Sequence, residues 1–127
     1  MTAHTTDLPT RLELADGLVG LPAARSFDVR PLASEGLLEL VSRDDPGLGF
    51  VAARVESIRD GYTSELVTAG LADQLAQVLV LLAVHGDPPG VTANLAGPLV
   101  VAPDGVARQL VLEGPAYALQ APVGATG

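Results

Sequence analysis

The order of polar and apolar positions divides the chain into short segments punctuated by Gly, Pro and Asp. Arg11-Leu12-Glu13-Leu14 alternates at period two, the pattern of a half-buried strand. Ser26-Phe27-Asp28-Val29-Arg30-Pro31-Leu32 repeats it, with Phe27 and Val29 on one face and Asp28 and Arg30 on the other. Pro31 cannot donate to a ladder, which puts the end of that strand at an edge. Asp16 to Pro22 reads as a turn and loop, because two Gly and a Pro interrupt it. Ser34-Glu35-Gly36 turns the chain into a third strand, Leu37 to Val41, and Phe50 to Ala53 is its return. Between them Arg43-Asp44-Asp45-Pro46-Gly47 has the residue order of a tight turn, so this pair reads as a hairpin.

The second half is less regular. Val55 to Tyr62 is mostly polar and reads as a loop or a short turn of helix, and Tyr62 to Val67 as a short strand. Ala69 to Gln77 is the predicted helix, since Leu71, Leu75 and Val78 recur at helical spacing among good helix formers. Val78 to His85 is apolar on both faces and is expected to be the most buried strand. After a Gly86-Asp87-Pro88-Pro89-Gly90 loop comes the stretch Val91 to Val101, an apolar segment broken by Thr92, Asn94, Gly97 and Pro98. Thr and Asn can satisfy nearby backbone groups from their side chains. The stretch therefore predicts a structural corner held by Thr92, Asn94 and Pro98. Asp104-Gly105 suits a hairpin turn, Arg108 to Leu112 is the partner strand, and Gly114 to Gly127 trails off.

Together these segments predict a mainly β fold, a small closed or nearly closed antiparallel β-barrel with one short helix at about 69–77. With 127 residues and no internal linker, a single domain over 1–127 is expected, frayed at 1–9 and 124–127. Val78 to Val84, the longest apolar run, is too short to span a bilayer, and Met1 to Asp7 lacks the pattern of a secretory leader. No Cys is present, which excludes disulfides and thiolate metal sites and fits a reducing, cytoplasmic setting.

Charge narrows the partners. Seven Arg and no Lys stand against fifteen acidic residues, a formal charge of −8. Such a surface repels phosphate backbones, so direct nucleic-acid binding is not expected, whereas a basic protein would be attracted. Aromatics at 3% are too few for a base-stacking platform.

The chemistry-bearing residues do not assemble into a motif. His4 and His85 lack companions at metal-ligand spacing, and His85 reads as a strand-end residue with a hydrogen-bond partner. Asp44 and Asp45 are adjacent carboxylates that a turn accounts for without catalysis. Gly47-Leu48-Gly49 is too short for a dinucleotide fingerprint, and Ser42, Ser57 and Ser64 have no base nearby in sequence. No catalytic residue, cofactor or metal is assigned. Three readings stay open: a regulatory binding protein, a small-molecule-binding barrel with a deep apolar pocket, and a hydrolase assembled from distant Asp and Ser residues.

Thr92-Ala93-Asn94-Leu95, followed by Pro98-Leu99-Val100, resembles the segment that marks the FliW family of bacterial flagellar assembly factors. Other pieces match in order: Gly17-Leu18 with Gly20, Asp45-Pro46 with Leu48 and Phe50, Tyr62 with Glu65-Leu66, Gln109 with Val111-Leu112, then Tyr117 and Pro122. Val19 and Leu21 stand where the family carries Pro and Phe, and Gly61 where it carries an acid, with Asp60 one residue earlier. The resemblance implies a non-catalytic, cytoplasmic protein, monomeric on its own. It would bind flagellin and also CsrA, a small RNA-binding translational repressor, whose sequestration relieves repression of flagellin synthesis. Asp60, Tyr62, Glu65 and Leu66 are the residues expected to contact a partner: an aromatic, two acids and an apolar anchor.

Overall fold

The alternating segments of the first half form strands because each offers one apolar face to a common interior. The computed structural model describes residues 8–33, 36–45, 47–86 and 89–123. His4, the Ser34-Glu35 turn, Pro46, Asp87, Pro88 and the tail 124–127 lie outside the described residues. Strands β1 (Arg11–Leu14), β2 (Ser26–Pro31), β3 (Leu37–Ser42) and β4 (Gly49–Arg54) run as an antiparallel meander. The second half adds β5 (Gln77–Gly86), β6 (Pro89–Ala93), β7 (Leu99–Val101), β8 (Val106–Gln109) and β9 (Ala121–Pro122).

The sheet order is β4-β3-β2-β1-β8-β7-β5-β6-β9, and a β4–β5 pairing closes the first seven strands into a barrel. The closure is mostly antiparallel, as expected, but β1 and β8 pair in parallel, Glu13 opposite Val106. Both strands are short and far apart in sequence, so no hairpin dictates their direction. Leu12, Leu14, Phe27, Val29, Leu38, Leu40, Leu79, Leu99 and Val101 pack in one buried cluster, and Phe50 meets Phe27 edge-on at 6.0 Å. Small barrels fill with side chains in this way.

The long strand β5 serves two structures at once. Its first half carries apolar residues on both faces: Leu79 joins the barrel cluster, while Val78 and Val80 join a second cluster with Val55, Tyr62, Leu66, Leu95 and Leu110. Its second half leaves the barrel to pair with β6, and Val84 there is 78% exposed. Val78 to His85 is therefore deeply buried only at its start. β6 and β7 both pair with β5, and residues 94–98 form the bend between them, the corner expected from the sequence.

The helix is displaced from its predicted position. It is α1 (Tyr62–Thr68), entered through a 3-10 turn at Val55–Ser57, and 69–76 is irregular. Tyr, Thr and Val give Tyr62 to Val67 a strand-like composition, but Tyr62 and Leu66 are one helical turn apart and both are buried. Gly70, at φ +78°, stops the helix: Leu71 N–H donates to Leu66 O at 2.8 Å and Gly70 N–H to Val67 O at 3.0 Å. Beyond it the Leu71, Leu75, Val78 spacing does not describe one buried face, since Leu75 is 73% exposed.

Two further corrections concern the end of the chain. The strand expected at Arg108 to Leu112 is Val106–Gln109, although Leu110 and Leu112 still donate to Pro98 O and Ala96 O at 2.9 and 2.7 Å. The tail does not trail off at Gly114: β9 pairs with β6, and Tyr117 and Val123 pack on the second cluster. Leu8, expected to be frayed, packs against the barrel cluster.

Candidate functional site

The segment 56–66 contains every residue predicted to contact a partner, and a small set of contacts shapes it. A helix of seven residues is too short to persist alone, so its ends need support. Glu56 supplies it at the N-terminus: Oε1 accepts from Gly61 N–H at 2.8 Å and Oε2 from Thr63 N–H at 2.7 Å. Partial burial works against the Glu56 carboxylate, but the bonds from Thr63 and Gly61 outweigh it and hold its pKa below the ordinary 4.5.

Tyr62 anchors the inner face. Its ring is fully buried, its hydroxyl donates to Leu95 O, and burial followed by the neighbouring Tyr117 pushes its pKa up to about 12. Leu66 lies beside it at 1% exposure. Burial removes Tyr62 and Leu66 from the expected contact surface and makes them the platform beneath it. Asp60 and Glu65 are exposed. Of the four residues, two are therefore brought to the surface and two are not.

Arg59 links this platform to the tail. Its guanidinium stands 5.4 Å from the Tyr62 ring centroid and 5.9 Å from that of Tyr117, and the two rings meet edge-on at 5.9 Å. Nη1 donates to Ala116 O at 2.7 Å, while Nη2 reaches both Glu65 oxygens at 2.9 and 3.1 Å. The exposed ion pair contributes about 0.2–1 kcal/mol, and each cation–π contact roughly 0.5–1 kcal/mol. The contact of Arg59 with Tyr117 is not legible in the sequence, where Tyr117 stands only in the family's closing segment, because the two are 58 positions apart and neither lies in a periodic pattern.

Of the three corner residues, Asn94 alone among the described residues uses its side chain on backbone; that of Thr92, which lies in β6, meets the side chain of His85 instead. Asn94 Oδ1 accepts from Ala96 N–H at 3.1 Å, Thr92 Oγ1 lies 2.8 Å from His85 Nε2, and Pro98 is fully buried. Gln109 adds a bond that the spacing did not reveal, donating from Nε2 to Gly97 O at 2.9 Å. The Asp44 carboxylate accepts from Ser26 and Arg25 N–H at 2.9 and 3.1 Å, which lowers its pKa and ties the turn to β2. Among the described residues, no group of three or more His, Asp or Glu could hold a metal ion, and no helix is long and apolar enough to cross a membrane.

Comparison with known proteins agrees with this architecture. The family model described as FliW protein matches residues 1–123. The flagellar assembly factor FliW of Geotalea uraniireducens (strain Rf4) is 29% identical over 118 residues, covering 87% of this chain and 72% of that one. That of Geobacter sulfurreducens (strain ATCC 51573 / DSM 12127 / PCA) is 32% identical over 119 residues, covering 87% and 74%. FliW 2 of Desulfotalea psychrophila (strain LSv54 / DSM 12343) is 30% identical over 115 residues, covering 85% and 76%. A crystal structure of the flagellar assembly factor FliW superposes with a TM-score of 0.72 at 22% identity, covering 96% of this chain and 89% of that one, a likeness of fold. With the corner at 94–98, the seven-stranded closure and a family match over nearly its whole length, the chain belongs to the FliW family of flagellar assembly factors.

Proposed function

We propose that this protein acts in the cytoplasm, without catalysis, by holding CsrA and flagellin in turn. Free protein sequesters CsrA and relieves repression of flagellin synthesis, and flagellin competes for it. Membership of the family is the main support. The physical support is a chain of formal charge −8, with Glu65 exposed on the braced helix α1 and Asp60 exposed just before its N-terminus. Acidic groups on a preformed scaffold steer and retain a basic RNA-binding partner. Tyr62 and Leu66 set the position of that helix from below.

Gel filtration of the purified chain mixed with CsrA, with flagellin, and with both tests the proposal. Complexes with each partner alone are expected, together with release of CsrA as flagellin is added. Retention of neither partner would overturn the reading. Glu65→Arg is expected to weaken CsrA binding roughly tenfold, the scale of reversing a charge at an interface. Because its ion pair with Arg59 is exposed, the stability cost is about 1 kcal/mol or less. Unaltered affinity in a titration removes Glu65 from the contact.

A further inference from the structure

A groove of about 710 Å³ is formed between strands β7 and β8, the β1–β2 loop and the segment that follows α1. Its floor includes Val100 and Val106, one wall is the β1–β2 loop at 15–19, and the other is the segment 70–76 that follows α1. Three aliphatic side chains stand open at it: Val19 at 64% exposure, Leu75 at 73% and Val106 at 54%. Asp16 and Asp73 lie on the two walls, and neither carboxylate has a hydrogen-bond or ion-pair partner among the described residues. Apolar side chains grouped in this way mark a contact surface more often than scattered ones do.

The groove is held in shape before anything binds. Successive side chains of a strand leave on opposite faces, and two neighbours on β8 hold one wall each. Arg108 Nη2 donates to Leu71 O at 2.5 Å, and Gln109 Oε1 accepts from Val19 N–H at 2.8 Å. Gly17, at φ +70°, closes the first wall so tightly that a Cβ there would lie 2.4 Å from Pro22 O. A wall that is already ordered spares the ordering cost of binding.

The occupant follows from what the groove lacks and what it carries. Its floor strands are saturated, β7 between β5 and β8, and β8 between β7 and β1. An extended peptide laid here would find no free strand edge, so its own N–H and C=O groups would be left without partners. A helix satisfies those groups internally and offers an apolar stripe to the groove. The two unpaired carboxylates on the walls favour cationic flanks.

We propose that this groove docks an amphipathic helix of a protein partner, with aliphatic residues on one face flanked by Lys or Arg. The proposal rests on the reading that the chain works by holding other proteins, and it adds a second contact surface with its own chemistry. Titrating the isotope-labelled full chain by NMR with two synthetic helical peptides of about four turns tests it. Both carry the same Leu and Ile stripe, one flanked by Arg and the other by Glu. Saturable shifts are expected at Val19, Leu75 and Val106 with the Arg-flanked peptide, and roughly tenfold weaker binding with the Glu-flanked one. Val106→Glu, and separately Leu75→Glu on an exposed turn, should each weaken the first peptide tenfold or more. Shifts absent from the groove, or equal affinity for both peptides, would overturn the proposal. So would a concentration-dependent dimer that Val106→Glu dissolves, since that assigns the groove to a second copy. Neither CsrA nor flagellin enters this experiment, so its failure is distinguishable from failure of the functional reading.

Discussion

Replacing Tyr62 by Phe removes one oxygen atom and tests whether this residue belongs to the core or to a partner interface. In the folded chain the ring is fully buried and its hydroxyl donates to the carbonyl of Leu95, within the corner. The phenyl ring keeps the packing, so no cavity opens, but a buried carbonyl loses its donor. Leaving such a group unsatisfied costs about 1–3 kcal/mol. Unfolding entropy for a chain of this length is roughly 270 cal/mol/K, so Tm should fall by about 4–11 °C. Urea denaturation followed by circular dichroism gives the free energy directly. Tyr117→Phe is the control: no bond to its hydroxyl occurs among the described residues, so its loss should stay within about 0.5 kcal/mol. If Tyr62→Phe leaves stability unchanged while lowering CsrA affinity, the core assignment is wrong and the hydroxyl belongs to an interface.

Other perturbations probe the elements around it. Glu56→Gln should flatten the acid limb of the stability profile: the folded carboxylate titrates below 4.5, so its contribution is present above that pH and fades as pH falls through the lowered value. Thermal melts of both proteins at a series of pH values read the difference. Gly17→Ala meets both the Pro22 backbone and a positive φ, and should cost about 2 kcal/mol or more by urea unfolding. Arg59→Ala should loosen the tail on α1, seen as faster amide exchange at Tyr117, while the barrel amides of β2 and β3 keep their protection.

The sequence alone determined the barrel half of this protein. Period-two alternation in β1 to β3 states which face is buried, and a strand has only two faces, so little else can intervene. Turn chemistry at Asp45 and the polar interruption at Asn94 were legible because local groups satisfy local backbone: Asp45 Oδ1 accepts from Gly47 N–H and Asn94 Oδ1 from Ala96 N–H. Asp44 instead reaches across to β2, and Thr92 meets His85. What only the tertiary structure decided is where α1 forms and which side of it faces water. Tyr62 to Thr68 has strand-like composition, and it becomes helical because Glu56 caps it, Gly70 ends it, and Tyr62 and Leu66 find an apolar seat on β5 and the corner. The bond from Tyr62 to Leu95, the contact of Arg59 with Tyr117 and the parallel β1–β8 seam all join residues far apart in the chain. Contacts of that kind leave no period in the sequence, because nothing local is repeated when they form.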